Sequence, residues 1–177
     1  MRRLMTLGVM MLVGFVLATP AQAQKESEVL EVQEVIATFV EKDPDMQGWF
    51  DTSYGYVVFP NVGKGGLGIG GAHGNGLVYK GGTVVGEAEL KEITVGLQAG
   101  GQSFVEVIFF KDKTAFDDFT RGNFEFGAQV SAVALTAGAS ADLAYNGGVA
   151  VVTMTKGGLM YEASVGGQKF EYEPFSG

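Results

Sequence analysis

The chain has 177 residues, among them 28 glycines and no cysteine, with twenty acidic residues against twelve basic ones. That length suits one domain with a well-buried core. The lack of cysteine excludes disulfides, thiolate metal sites and a lipid-modified N-terminal cysteine, and the acidic balance opposes binding to nucleic acid and long-range attraction to anionic lipid.

In chain order, Met1-Arg2-Arg3 is a short basic segment, Leu4 to Leu17 is apolar, and Ala21-Gln22-Ala23 is an A-x-A site. This is the three-part pattern of a secretory signal peptide, and the apolar run is shorter than the roughly 20 residues a spanning helix needs. The expected organisation is a signal peptide over 1–23 and a single domain over 24–177, exported to the bacterial periplasm or cell envelope. Removing residues 1–23 takes away two arginines and no acid, so the mature chain is more acidic still.

Lys25 to Lys42 carries Val29, Val32, Val35, Ile36, Phe39 and Val40 at three- and four-residue steps, with glutamates between them. The spacing predicts an amphipathic helix that stops near Asp43-Pro44 and covers an open end or face of a sheet. Met46, Trp49 and Phe50 fit a second helical turn. Tyr54 to Phe59 is aromatic and β-branched, a strand expected to end at the turn residues Pro60 and Asn61.

Gly63 to Gly86 is dense in glycine, yet Leu67, Ile69, Leu77, Val78, Val84 and Val85 are interleaved where a linker would carry Ser and Pro. It is read as sharply curved β-structure. Within it Lys80-Gly81-Gly82-Thr83 predicts a two-residue hairpin, while His73-Gly74-Asn75-Gly76 is open between a second turn and a bulge. Ile93, Val95 and Leu97 alternate with Thr94, Gly96 and Gln98 as in a half-buried strand. Phe104 to Phe110 is nearly all apolar, which predicts a central strand covered on both faces.

Lys111 to Thr120 predicts a short helix with Asp112 as N-cap and Phe116 and Phe119 on one side. Phe124 to Ala132 alternates again, and Ala134 to Ala144 is open between strand, loop and short helix. Asn146-Gly147 is a hairpin signal before a strand at Val149 to Thr155. Lys156-Gly157-Gly158 predicts a turn, and Leu159 to Val165 with Gln168 to Tyr172 close the chain as strand, either separately or as one strand kinked at Gly166-Gly167. The fold class is mainly β with α: a curved antiparallel sheet or barrel of about seven to eight strands, with an N-terminal amphipathic helix and one short internal helix.

Gly55-Tyr-Val-Val-Phe-Pro60, Lys64-Gly-Gly-Leu-Gly-Ile-Gly-Gly71, Gly74-Asn-Gly-Leu-Val78, Thr94 to Ser103, Phe126 to Ala134, Thr155 to Leu159 and Ser164 to Gly167 together resemble the SYLF family of lipid-binding domains. The blocks occur in the family's order and span nearly the whole mature chain. The resemblance implies a non-enzymatic phospholipid-binding domain with helical cover at its N-terminus. Eukaryotic members are also classed as actin-binding and as using a basic N-terminal segment at membranes. The matching segment here, Lys25 to Lys42, is acidic, so phosphoinositide specificity is not carried over, and an exported protein would not meet cytoplasmic actin.

No catalytic constellation stands out. Gly66-Leu-Gly-Ile-Gly-Gly71 has G-x-G-x-x-G spacing, but no helix follows to receive a pyrophosphate. His73 is the only histidine, and without cysteine it makes no zinc site. No cofactor, metal or nucleic acid is expected. The recurrent polar feature is lysine: Lys64, Lys80 and Lys156 each precede Gly-Gly, and Lys169 follows Gly166-Gly167. If those turns share one end of the sheet, the ammonium groups and nearby backbone N–H groups form a phosphate-binding rim, with Trp49 and Phe50 adding interfacial contact. The expected function is phospholipid or membrane-surface binding. The alternatives are a small outer-membrane β-barrel or a soluble barrel carrying a small apolar ligand.

Overall fold

The computed structural model describes residues 20–96, 101–122, 124–127, 129–156 and 165–175. Helix α1 (Pro20–Lys42) and helix α2 (Met46–Thr52) precede strands β1 (Gly55–Lys80), β2 (Thr83–Gly96) and β3 (Gly101–Phe110). Helix α3 (Lys113–Thr120), strands β4 (Phe124–Glu125) and β5 (Ala132–Ala134), a single 3-10 turn (Ala139–Ala141), β6 (Val149–Thr155) and β7 (Lys169–Pro174) follow. The strands form one sheet in the order β4-β7-β2-β1-β3-β6-β5, antiparallel except for β5 on β6.

Strand β1 counts twice. Its first half pairs with β3, from Gly55 opposite Phe110 to Gly65 opposite Gly101, and its second half pairs with β2, from Gly68 opposite Gly96 to Lys80 opposite Thr83. The halves double back on one another: Tyr56 stacks on Tyr79 at 4.9 Å, and a Cβ on Gly76 would lie 2.5 Å from the Val58 carbonyl oxygen. The sheet therefore has eight strand segments, and the glycine-rich stretch is its bent hairpin. His73 to Gly76 is neither turn nor bulge, since its pairing with Gly86-side residues of β2 runs unbroken from Ala88 to Lys91. Glycine is needed there because the other arm of β1 occupies the space a side chain would take.

Glu106 on β3 is hydrogen-bonded to Gln168 at the start of β7, although β1 and β2 lie between those strands. At about 4.8 Å per strand a flat sheet would hold them some 15–20 Å apart. The sheet must curl, and it forms a half-barrel with a concave lumen and a convex back. Among the described residues β4 and β5 are its two edges, so the curl is open rather than a closed barrel.

Each face has its own core. The lumen is filled from one end by aromatic side chains: Phe110 and Phe170 pack on Phe119 of α3 at 4.8 and 5.4 Å, and Phe126 on Phe170 at 4.9 Å. The convex back buries Val58, Leu77, Val105, Val107 and Val152 under Val32, Val35 and Phe39 of α1 and Met46 and Phe50 of α2. The N-terminal helix thus covers a face, as its spacing predicts, and Phe104–Phe110 is covered on both sides. Asp112 caps α3 by accepting from the Ala115 N–H at 3.0 Å. Asp43, held below the usual carboxylate range by accepting from the Ser140 N–H at 2.7 Å, ties the end of α1 to the 3-10 turn.

Several local expectations are corrected. Strand β1 does not end at Pro60-Asn61; the register shifts there between Phe59 and Val62, a bulge that absorbs a proline with no N–H to donate. The alternation at Ile93 is inverted, with Ile93 83% exposed and Glu92 6% exposed. Among the described residues, Phe124 to Ala132 gives only the two-residue β4 before β5 starts at Ala132. Asn146 and Val149 close a turn through Gly147 and Gly148, both at positive φ, but it joins a strand only on its C-terminal side. At Gly81 and Gly82, φ values of 55° and 78° give the two-residue hairpin expected. The turn expected at Gly157-Gly158 lies outside the described residues, as does the strand expected over Leu159 to Val165 except for Val165 itself.

Candidate functional site

The lumen changes character along its length. Away from α3, toward the bent tip of β1, four polar side chains replace the phenylalanines. Position 106 alternates with Val105 and Val107, which face the convex back, so Glu106 has nowhere to point but inward. It is fully buried, as is Gln168. Gln168 Nε2 donates to Glu106 Oε2 at 3.1 Å. Glu92 on β2 enters the same lumen, and Lys64 on β1 reaches it at 3.2 Å, with 4% and 18% of their side chains exposed.

Burial pushes the Glu106 carboxyl up to about 8, the Gln168 hydrogen bond opposes that rise, and the charges of Glu92 and Lys64 act in opposite directions. At neutral pH Glu106 is therefore mostly a neutral acid. Among the described residues, one oxygen on each of Glu92, Glu106 and Gln168 (Oε2, Oε1 and Oε1) has no hydrogen-bond partner. A buried polar atom left unpaired costs about 1–3 kcal/mol, and three of the five such side-chain atoms among the described residues fall in this cluster.

The predicted site residues do not gather into one rim. A row crosses the sheet from Lys169 through Lys91 and His73 to Gly63 and Ser103, and the Lys156 N–H donates to the Ser103 carbonyl. Lys64 is one residue farther along β1, so Lys64, Lys156 and Lys169 share the glycine-rich end. Lys80 is at the other end, at the β1–β2 turn, with its Nζ 5.3 Å from the Tyr54 ring centre and 5.7 Å from that of Phe116. The reason is geometric: β1 doubles back, so residues 64 and 80 occupy its tip and its base. Gly65 lies within β1 rather than at a turn.

The lysines are also partly engaged. Lys64 pairs with Glu92, Lys156 lies 3.7 Å from Glu31 of α1, and Lys169 lies 3.7 Å from Glu125 of β4. Phe50 is 8% exposed, wedged against Phe109 at 5.0 Å and Tyr56 at 5.2 Å, and is core rather than interfacial contact. Trp49 is half-buried against Tyr145 and Phe109. Sequence reasoning missed Glu92, Glu106 and Gln168. Glu106 was marked by being the one charge inside Phe104–Phe110; for the other two the curl, invisible in one dimension, decides.

A groove of about 690 Å³ runs between α1 and the convex side of β1, β2 and β7. Glu28, Glu31, Glu87, Glu89, Glu171 and Glu173 line it, a rim that repels phosphate. Among the described residues there is no group of three or more His, Asp or Glu spaced to hold a metal ion, and no helix is long and apolar enough to cross a membrane.

The fold is a curled antiparallel half-barrel, plugged by one internal helix and backed by an N-terminal helix: a small β-rich domain architecture. Residues 91–173 match the family model described as Ysc84, Las17-binding protein actin regulator. The chain is also 32% identical over 131 residues to Beta cell expansion factor A of Aeromonas veronii, an alignment covering 73% of this chain and 49% of that protein. The chain thus spans about half the length of the curated relative it matches. It belongs to the SYLF family, whose members are lipid- and actin-binding domains rather than enzymes.

Proposed function

We propose that this is a non-enzymatic phospholipid-binding protein of the bacterial periplasm or cell envelope, exported by cleavage after Ala23. Family membership is the observation that carries the reading, and the secretory pattern of residues 1–23 supports the compartment. Headgroup contact falls to Lys64, Lys156 and Lys169 at the glycine-rich end.

Co-sedimentation of the mature chain, residues 24–177, with vesicles of phosphatidylglycerol and phosphatidylcholine tests this. The protein is expected in the pellet. Replacing Lys64, Lys156 and Lys169 together by Glu should leave most of it in the supernatant, whereas Lys80→Glu should change little. Wild-type protein that stays in the supernatant with every composition overturns the lipid reading; equal losses from the triple variant and Lys80→Glu overturn the assignment of the end.

A further inference from the structure

We propose that Glu92, Glu106, Gln168 and Lys64 form a binding site for a primary ammonium group inside the half-barrel. The inference goes beyond surface contact with phosphate, and it holds whether the ammonium arrives on an ethanolamine headgroup or on a free amine.

The first argument is the hydrogen-bond count. Three oxygens, Glu92 Oε2, Glu106 Oε1 and Gln168 Oε1, are buried without a partner among the described residues, on side chains whose residues are 6%, 0% and 0% exposed. Once the Glu106 proton has left, all three are acceptors and what the cluster lacks is donors, so it does not call for an anion. A primary ammonium carries three N–H donors and no acceptor, and three is the number of oxygens left open. A quaternary ammonium such as choline has no N–H to give them.

The second argument is charge. With the Lys64–Glu92 ion pair at 3.2 Å and a protonated Glu106, the buried cluster is neutral. Entry of a monovalent cation with departure of the Glu106 proton leaves it neutral again, whereas a divalent ion in the same exchange leaves a positive charge in an apolar lumen, where unpaired charge is costly. A hard divalent ion also seeks six or more oxygens, twice the number open here.

The third is access. Lys64 is the one member of the cluster with a sizeable exposed fraction, 18% of its side chain, and it stands on the tip of β1 at the end of the lumen away from α3. The opposite end is stopped by Phe110, Phe116 and Phe119. A ligand amine would enter past Lys64 and meet Glu92 before Glu106.

Titration calorimetry of the mature chain at pH 7, in two buffers of different ionisation enthalpy, tests the proposal. The probes are ethanolamine, dihexanoyl phosphatidylethanolamine and their choline counterparts. Both or one of the ethanolamine probes should bind saturably and release about one proton per amine, and the choline counterpart should bind at least about tenfold more weakly. Equal affinity for ethanolamine and its lipid identifies a free amine as sufficient; binding of the lipid alone identifies the headgroup. Glu106→Gln, checked as folded by circular dichroism, should release no proton and bind at least about tenfold more weakly. Failure of both ethanolamine probes to bind, equal binding of choline, or binding without proton release overturns the proposal and leaves the cluster filled by water. The wild-type comparison needs no variant, and vesicle binding by the wild type tests the lipid reading separately.

Discussion

Glu106 is fully buried, and its burial sets a sign on how stability responds to pH. The folded chain holds a proton on this carboxyl up to about pH 8, whereas the unfolded chain releases it near the ordinary glutamate value of 4.5. A proton held only by the native state stabilises it most at low pH, so this contribution is complete below about pH 4.5 and is lost as pH rises through 8. Glu92, Lys64 and Gln168 are the groups that face it. Between pH 6 and pH 9 the wild type should lose of order 2 kcal/mol from this group, and Glu106→Gln should flatten that part of the profile. Thermal unfolding followed by circular dichroism at successive pH values checks it; a Glu106→Gln profile as steep as the wild type would mean that another group carries the dependence. Glu106 was missed in the sequence, although it is the one charge in the run Phe104 to Phe110. Glu92 was missed because period-two alternation marks two faces without saying which one is inside, and Ile93 took the solvent side.

Among the elements, the bent hairpin of β1 was the most legible and also the most misread. Interleaved glycine and aliphatic residues announced curved strand, and Lys80-Gly81-Gly82-Thr83 announced its turn to β2. The close contact of its own two arms was not announced, since it depends on a bend whose ends are about twenty residues apart. That contact makes the glycines unequal. At Gly76 a Cβ would meet the Val58 carbonyl oxygen at 2.5 Å and the Phe59 ring at 2.7 Å, whereas at Gly48 in α2 nothing lies within 4 Å. Gly76→Ala should cost about 1–3 kcal/mol because backbone must move, and Gly48→Ala should gain up to about 1 kcal/mol from helix propensity. Urea unfolding of the two variants beside the wild type reads both; a Gly76→Ala midpoint equal to the wild type would show that the arms are farther apart. Helix α3 was readable throughout, since its cap, length and buried face are all local.

At the scale of the molecule, the sheet is a wall shared by two cores. Phe104, Ile108 and Phe110 belong to the lumen, while Val105, Val107 and Phe109 belong to the helix-covered back. Neither core can dissolve while the other keeps its shape, because both are built on β1, β3 and β6. The protein should therefore unfold in one transition, with near- and far-ultraviolet circular dichroism superposing and calorimetric and van't Hoff enthalpies agreeing. Separate transitions would show that α1 and α2 detach on their own. Fold class, helical cover and the central strand were readable because they rest on periodicity and burial. The lumen site was not, because it joins residues 64, 92, 106 and 168 through closure of the curl.

The run Phe104 to Phe110 carries a hazard that its one carboxylate answers. An almost wholly apolar strand offers little to distinguish its two faces, and a slip of one residue against β1 and β6 would exchange every side chain between them. Such a slip would drive Glu106 among Phe39, Phe50 and Val152, with no Gln168 to meet it, and bring Val105 and Val107 into the lumen. Glu106 thus works as a registration pin, making the misaligned sheet far worse than the aligned one at some cost to the aligned sheet itself.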